Sequence, residues 1–287
     1  MLLVCDSGST KADWLLYDGK TISGPFHSIG FNPFFHDADF VFNKLNSDDS
    51  MASIAEVVTE IYFFGAGCSS KSRKEIIAQG LRRYFPKANV IVDHDLLACA
   101  YATAGDEPGI ACIIGTGSNS CWFDGKEVHE KNYGMGYILG DEGSGSYFGK
   151  KLLTHFLYGL MPKDIHENFE NNYGLNRNSI IDHVYNKPNP NVWLASFARF
   201  LTANKDHAYI NNLVKNGMRD FFELYVCHYE DYKNKNVHFV GSVAFIFQDE
   251  LKAEAKKLDI NVGNIIKQPI DSLMNYYINK LNKNGSL

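Results

Sequence analysis

Two stretches of this chain spell the same pattern, and that repeat limits the folds open to it more than any other feature. Val4-Cys5-Asp6-Ser7-Gly8-Ser9-Thr10-Lys11 runs into Trp14-Leu15-Leu16-Tyr17-Asp18-Gly19-Lys20, and Ile113-Ile114-Gly115-Thr116-Gly117-Ser118-Asn119-Ser120 runs into Trp122-Phe123-Asp124-Gly125-Lys126. Each is an apolar strand, a turn of small residues, a second strand and a D-G-K turn. A further echo pairs Ile61-Tyr62-Phe63-Phe64-Gly65-Ala66-Gly67 with Val237-His238-Phe239-Val240-Gly241-Ser242-Val243, each an apolar run ending in a glycine turn before a helix. Asp-Gly hairpins alone would produce part of this likeness. The conserved order of the echoes within each half is what predicts a duplicated β-β-β-α domain, with two Gly/Ser/Thr turns facing one cleft. Glycine lacks the Cβ that would hold a ligand off the backbone, so successive N–H groups and nearby hydroxyls in such turns can converge on phosphate oxygens.

At 287 residues, 45% of them hydrophobic and 21% charged, the chain is long enough for two domains with real cores. A net charge of −5 gives no reason to expect nucleic acid or an anionic membrane as partner, so any phosphate site must be local. The six cysteines, Cys5, Cys68, Cys99, Cys112, Cys121 and Cys227, contain no C-x-x-C pair and read as buried apolar residues of a reducing compartment. The N-terminus turns polar at Asp6 without a basic leader, and no window approaches a membrane span, so a cytoplasmic location is expected.

Along the chain, strands are expected at 2–5, 12–17 and 21–28, helices at 38–46 and 51–59, a strand at 61–64, a helix at 70–84, a strand at 89–92 and a helix at 96–103. Asp93-His94-Asp95 lies at the end of one of these strands, where catalytic groups of open α/β sheets gather. Asp95 there is either a catalytic carboxylate or the cap of the following helix. Gly105-Asp106-Glu107-Pro108-Gly109 reads as the domain junction. Seven of the fourteen residues from Tyr133 to Ser146 are Gly or Ser, which predicts a ligand-lining loop before a helix at 146–157. Gly134-x-Gly136 lacks the third glycine and the leading strand of a dinucleotide fingerprint. Helices are expected at 192–203 and 208–232, the second with an aromatic stripe suited to core or dimer interface. A strand at 237–240, a helix to about 258 and a final helix at 271–281 complete the chain.

Asp6-Ser7-Gly8-Ser9-Thr10-Lys11, Asp95, Gly115-Thr116-Gly117-Ser118-Asn119, Gly140-Asp141-Glu142-Gly143-Ser144 and Gly241-Ser242-Val243 together resemble the N-acetylglucosamine kinase and BadF/BadG ATPase group, of the sugar kinase, actin and heat-shock chaperone ATPase superfamily. The likeness spans nearly the whole chain. It implies an α/β protein of two duplicated ribonuclease H-like domains, the actin-like ATPase fold, with ATP in the cleft between them. The domains would be residues 1–108 with 270–287, and 109–269 carrying a helical insertion.

The resemblance also implies roles. Ser7, Gly8, Ser9, Thr10 and Lys11 would form the first phosphate loop, with Asp6 holding Mg²⁺ through water. Gly115, Thr116 and Gly117 would form the second, and Gly241 and Ser242 the adenosine turn. Asn32, Asn119, Gly136 and Asp141 would bind the sugar, and Asp95 would be the general base. ATP and Mg²⁺ are the expected cofactors, an amino sugar or its N-acetyl derivative the substrate, and a homodimer the expected assembly. One departure stands out: the family's tryptophan between two glycines is replaced in Gly134-Met135-Gly136, which removes an aromatic platform beside the sugar. Two rivals follow from the same resemblance. A BadF/BadG-type activator would need a cysteine pair for an iron–sulfur cluster, for which Cys112 and Cys121 are the nearest candidates. A sugar sensor would need a DNA-binding element, and no helix-turn-helix extension or basic patch is evident.

Overall fold

The computed structural model describes residues 1–8, 10–131 and 134–284, and divides into two compact units, Met1–Asp106 with Gln268–Leu287, and Glu107–Lys267. The first unit is built on five strands, β1 (Leu2–Ser7), β2 (Lys11–Tyr17), β3 (Ile22–Ile29), β4 (Glu60–Gly65) and β5 (Asn89–His94), in the spatial order β3-β2-β1-β4-β5. The first three form an antiparallel meander, and β4 and β5 add in parallel to β1.

Alternation along β1 fixes what lies on each face. Leu3 and Cys5 point into a core shared with Val41 and Leu45 of helix α1 (Ala38–Asn46) and Ile77 and Leu81 of α2 (Lys71–Tyr84). Leu2 and Val4 point the other way, onto Ala98 of α3 (Asp95–Ala104) and onto Leu273, Met274 and Tyr277 of the C-terminal helix Ile270–Asn284. Both faces are covered, as a sheet with parallel strands requires.

The second unit repeats the plan. Its strands are β6 (Gly109–Ile114), β7 (Ser118–Phe123), β8 (Val128–His129), β9 (Asn236–Val240) and β10 (Asn261–Ile266), in the order β8-β7-β6-β9-β10. The first three are again antiparallel, and β9 and β10 are again parallel additions. Between β8 and β9 the chain inserts a run of helices whose aromatic residues, Phe148, Phe169, Phe197, Phe221 and Phe222 among them, are buried with β6 and β9 in one core. The aromatic stripe of 208–232 is therefore core. Phe221, Phe222, Tyr225 and Tyr229 are all buried.

Several elements differ from the sequence expectation. Residues 51–59 are not a helix but a 3₁₀ turn, Asp49–Met51, continued by irregular turns, although Met51, Ile54 and Val58 are buried as the periodicity demands. The 192–203 helix breaks at Phe197 into Pro190–Ser196 and Ala198–Ala203. The helix from Ala208 stops at Phe221 and passes into a π-helical turn, Phe222–Val226. Strand β10 was not expected.

Candidate active site

In the first unit the carboxyl ends of β1, β4 and β5 lie side by side, since Asp6 pairs with Phe64, Ser7 with Gly65, and Gly65 with His94. The β1–β2 turn closes through a bond from Gly8 N–H to Lys11 O at 3.0 Å. Gly8, Thr10 and Lys11 are exposed on it, while Ser9 lies outside the described residues. Ser7 is fully buried, and its Oγ accepts from Phe31 N–H at 2.9 Å, so that hydroxyl braces the turn from beneath. Gly30 donates to Thr10 O at 3.1 Å, and a Cβ on it would stand 1.9 Å from Gly8 O. Only glycine allows this approach.

Asp6 is half-buried at the tip of β1. Burial first, then the charges of Asp95 and Asp13, push its carboxyl up to about 7 against the opposing pull of Lys11. Asp95 opens α3 and is also raised, chiefly by burial, with His94 and the Leu96 N–H acting in the other direction. The cap position of that helix is taken by His94, which makes no side-chain cap bond. Asp93 is committed elsewhere, to Lys74 Nζ at 2.7 Å. Asp6 thus senses the Asp95 charge across β4, whose two flanking backbones are about 10 Å apart. Two such carboxylates, each reluctant to hold its charge alone, fit a hard divalent cation by donor type. Among the described residues no cluster of three or more His, Cys, Asp or Glu is set to hold a metal.

Asn32 completes this unit's set. It is buried, its Oδ1 accepts from Phe34 N–H at 3.0 Å, and its backbone carbonyl accepts from Phe35 and His36. With the oxygen used, the Nδ2 donors remain for a ligand. Gly67, at φ +80, lies against it, and a Cβ there would be 2.6 Å from Asn32 Oδ1.

In the second unit the β6–β7 turn is tighter, closed by Gly115 N–H to Gly117 O at 2.9 Å. The start of helix Gly145–Leu157 holds it, with Gly145 N–H on Gly115 O at 2.8 Å and Ser146 N–H on Thr116 O at 3.0 Å. Asp141 sits behind the turn in a left-handed conformation at φ +63, with Oδ1 accepting from Ser118 N–H at 3.2 Å and Oδ2 from Ser146 Oγ at 3.4 Å. Burial raises its carboxyl, opposed by the Ser118 bond. A Cβ on Gly117 would fall 2.9 Å from Asp141 Oδ2, so the glycine is what lets the carboxylate lie under the turn. Asn119 spends Oδ1 on Ser120 N–H at 2.9 Å and directs Nδ2 at Glu130 Oε2, 3.4 Å away. Gly134 packs against that amide, and Gly136, at φ +69 with open space around it, starts the short helix Gly136–Leu139. Gly241, at φ +129, ends β9 so close to β6 that a Cβ would lie 2.3 Å from Ile114 O. The structure thereby brings the Gly241-Ser242 turn directly onto the second glycine turn.

Sequence reasoning passed over several residues that build these clusters. Tyr225, on the π-helical turn, accepts from Asp141 N–H through its hydroxyl at 3.1 Å and from Ser120 Oγ through its carbonyl at 2.6 Å. Asp13 holds the Lys11 ammonium at 2.8 Å. An acidic residue inside the apolar run of β2 was the available signal for Asp13. Tyr225 offered none, because its partners are over eighty residues away.

Each unit is a ribonuclease H-like sheet with a turn of small residues between its first two strands, and two such units in one chain define the actin-like ATPase fold, the fold of sugar kinases. No family model and no curated protein matches the chain. Solved structures do. A Porphyromonas gingivalis protein provisionally named an N-acetylglucosamine kinase is 38% identical with a TM-score of 0.92, over 97% of this chain and 99% of that one. A Chromobacterium violaceum protein with the same provisional name is 15% identical with a TM-score of 0.70, over 96% and 98%. A ROK family glucokinase from Streptomyces griseus, solved with glucose and AMPPNP, is 13% identical with a TM-score of 0.51, over 98% and 99%, and shares the fold. The chain belongs to the N-acetylglucosamine kinase family of sugar kinases.

Proposed function

We propose that this protein transfers the γ-phosphoryl group of ATP to a hydroxyl of an amino sugar or its N-acetyl derivative, of the glucosamine or N-acetylglucosamine type. The observation that carries the reading is the Asp6–Asp95 pair at the ends of β1 and β5, on either side of β4, two carboxylates whose proton affinities are both raised. Phosphoryl transfer needs charge neutralisation on the phosphates and a carboxylate to accept the acceptor hydroxyl's proton, and little else by way of covalent chemistry. Asp95 is the proton acceptor. Gly8, Ser9, Thr10 and Lys11, braced by Ser7, hold phosphate in the first unit, and Gly115, Thr116 and Gly117 do so in the second. Gly241 and Ser242 meet the adenosine, and Asn32, Asn119, Gly136 and Asp141 the sugar. Mg²⁺, held at Asp6 through water, would supply neutralisation of the phosphate charge.

The activator reading is disfavoured by its own cysteines. Cys112 and Cys121 are both fully buried on β6 and β7, and burial drives the Cys112 thiol well above its ordinary value, the opposite of what a metal thiolate needs. None of the six cysteines forms a disulfide, which suits the cytoplasm, where ATP and Mg²⁺ are also at hand. No helix among the described residues is long and apolar enough to cross a membrane. The homodimer the family resemblance implies is read directly by sedimentation velocity.

A coupled ADP-release assay across glucosamine, mannosamine, their N-acetyl derivatives and glucose tests the function. ADP release that depends on an amino sugar is expected. Release no faster with any sugar than without would overturn the reading.

A further inference from the structure

The Lys11 ammonium does not point freely from the phosphate turn. Its Nζ lies 2.8 Å from Asp13 Oδ2, and Asp13 is a buried carboxylate, with a side chain only 7% exposed. Asp13 stands directly opposite Asp6 in the β1–β2 register. Two further donors reach it: His27 Nδ1 at 2.8 Å from Oδ1, and Gln268 Nε2 at 3.5 Å from Oδ2.

A lysine held on a buried carboxylate has one of its three N–H donors and much of its charge already committed, so it meets a phosphate fully only by leaving. In most buried ion pairs its departure would strand an unsatisfied charge, at heavy cost. Here it would not, because His27 and Gln268 remain on Asp13 when Lys11 leaves. The Lys11 side chain is 58% exposed, so water can replace Asp13 on the ammonium and the pair can open from its lysine side.

We propose that Asp13 is a positioning residue that parks the Lys11 ammonium while the phosphate turn is empty and yields it when a nucleotide's phosphates arrive, His27 and Gln268 keeping the carboxylate satisfied. Nucleotide affinity is then a competition between Asp13 and phosphate for one cation. This rests on the reading of Lys11 as a phosphate ligand.

Titration calorimetry with MgADP on the full chain tests it. Lys11→Met should weaken binding about tenfold, as loss of a charge-assisted contact does. Asp13→Asn should tighten binding about two- to fivefold, the range set by an exposed ion pair, and should do nothing on the Lys11→Met background. A merely structural Asp13 predicts weaker binding in both backgrounds. Should Asp13→Asn not fold, the His27→Ala/Gln268→Ala double variant serves instead. It takes away the donors that remain and should weaken MgADP about two- to fivefold; unchanged affinity overturns the proposal. Lys11→Met with wild-type affinity overturns the phosphate reading of Lys11 and the proposal with it. A weakened Lys11→Met beside an Asp13→Asn that binds no tighter overturns the proposal alone.

Discussion

The two glycine-turn hairpins share a strand plan and differ in charge. One step below each turn the facing residues are Asp6 and Asp13 in the first unit, but Ile113 and Asn119 in the second. The first hairpin therefore carries two carboxylates and a lysine, and burial, with the charges of Asp95 and Asp13 adding to it, pushes Asp6 up to about 7. The second presents hydroxyls, an amide and backbone N–H groups at its turn, and the carboxylate beneath that turn, Asp141, is brought from outside the hairpin and buried behind it. Duplication supplied the same scaffold twice. Divergence then gave the first hairpin the charged side chains and left the turn of the second to neutral hydrogen bonding.

The comparison is broken most severely at its carboxylates. Asp95→Asn should lower kcat by about 10²-fold or more with nucleotide affinity retained, as expected when a general base is lost. Asp141→Asn should leave kcat closer to wild type and appear mainly in the KM for sugar. Steady-state kinetics with an accepted sugar checks both. Equal effects of the two variants on kcat would erase the division of labour.

Next in size are the glycines that press on each turn from elsewhere in its unit. Gly30→Ala puts a Cβ 1.9 Å from Gly8 O, and Gly241→Ala puts one 2.3 Å from Ile114 O at a φ of +129. Each should cost about 2–3 kcal/mol of stability through overpacking and strain. Gly19→Ala, at φ +100 with nothing within 4 Å, is the control and should cost about 1 kcal/mol. Urea melts give the ranking. A Gly30→Ala or Gly241→Ala no worse than the control would mean that its turn is not held from outside.

These glycines also mark what was legible in the sequence. The hairpins were, because apolar alternation ending in a Gly/Ser turn is a local signal, and its recurrence gave the α/β class and the duplication. Strand β10 was not. Gly263 and Asn264 interrupt it, its register slips between Val262 and Ile265, and it is half-exposed, so neither periodicity nor composition announces a strand. Residues 51–59 gave the opposite error. Met51, Ile54 and Val58 are buried with helical spacing, but turns achieve that burial without a helical ladder. Asp6, Asp95 and Asn119 could be singled out by motif and family likeness. What they touch could not, because Asp13 meets Gln268 over 255 positions and Asp141 meets Tyr225 over 84.

The charge on the first hairpin also sets a pH dependence of stability. An unfolded chain releases the Asp6 proton near the ordinary carboxylate value of 3.8, whereas the folded protein keeps it until about 7. Between those values the folded state binds more protons than the unfolded one, so stability falls as pH rises through that window and levels off above it. Solvent reaches this half-buried group, so the part owed to Asp6 is on the order of 1 kcal/mol. Urea unfolding of the metal-free protein at pH 5 and pH 8 reads it, with Asp6→Asn as the reference. The variant should lose this part of the slope and gain on the wild type at pH 8, because it carries no charge to strand between Asp13 and Asp95. Asp95 and Asp141 are raised too, so part of the slope should survive in Asp6→Asn and shrink further when Asp95→Asn or Asp141→Asn is added. An Asp6→Asn that keeps the full slope would mean that the raised proton affinity belongs to Asp95 or Asp141 rather than to Asp6.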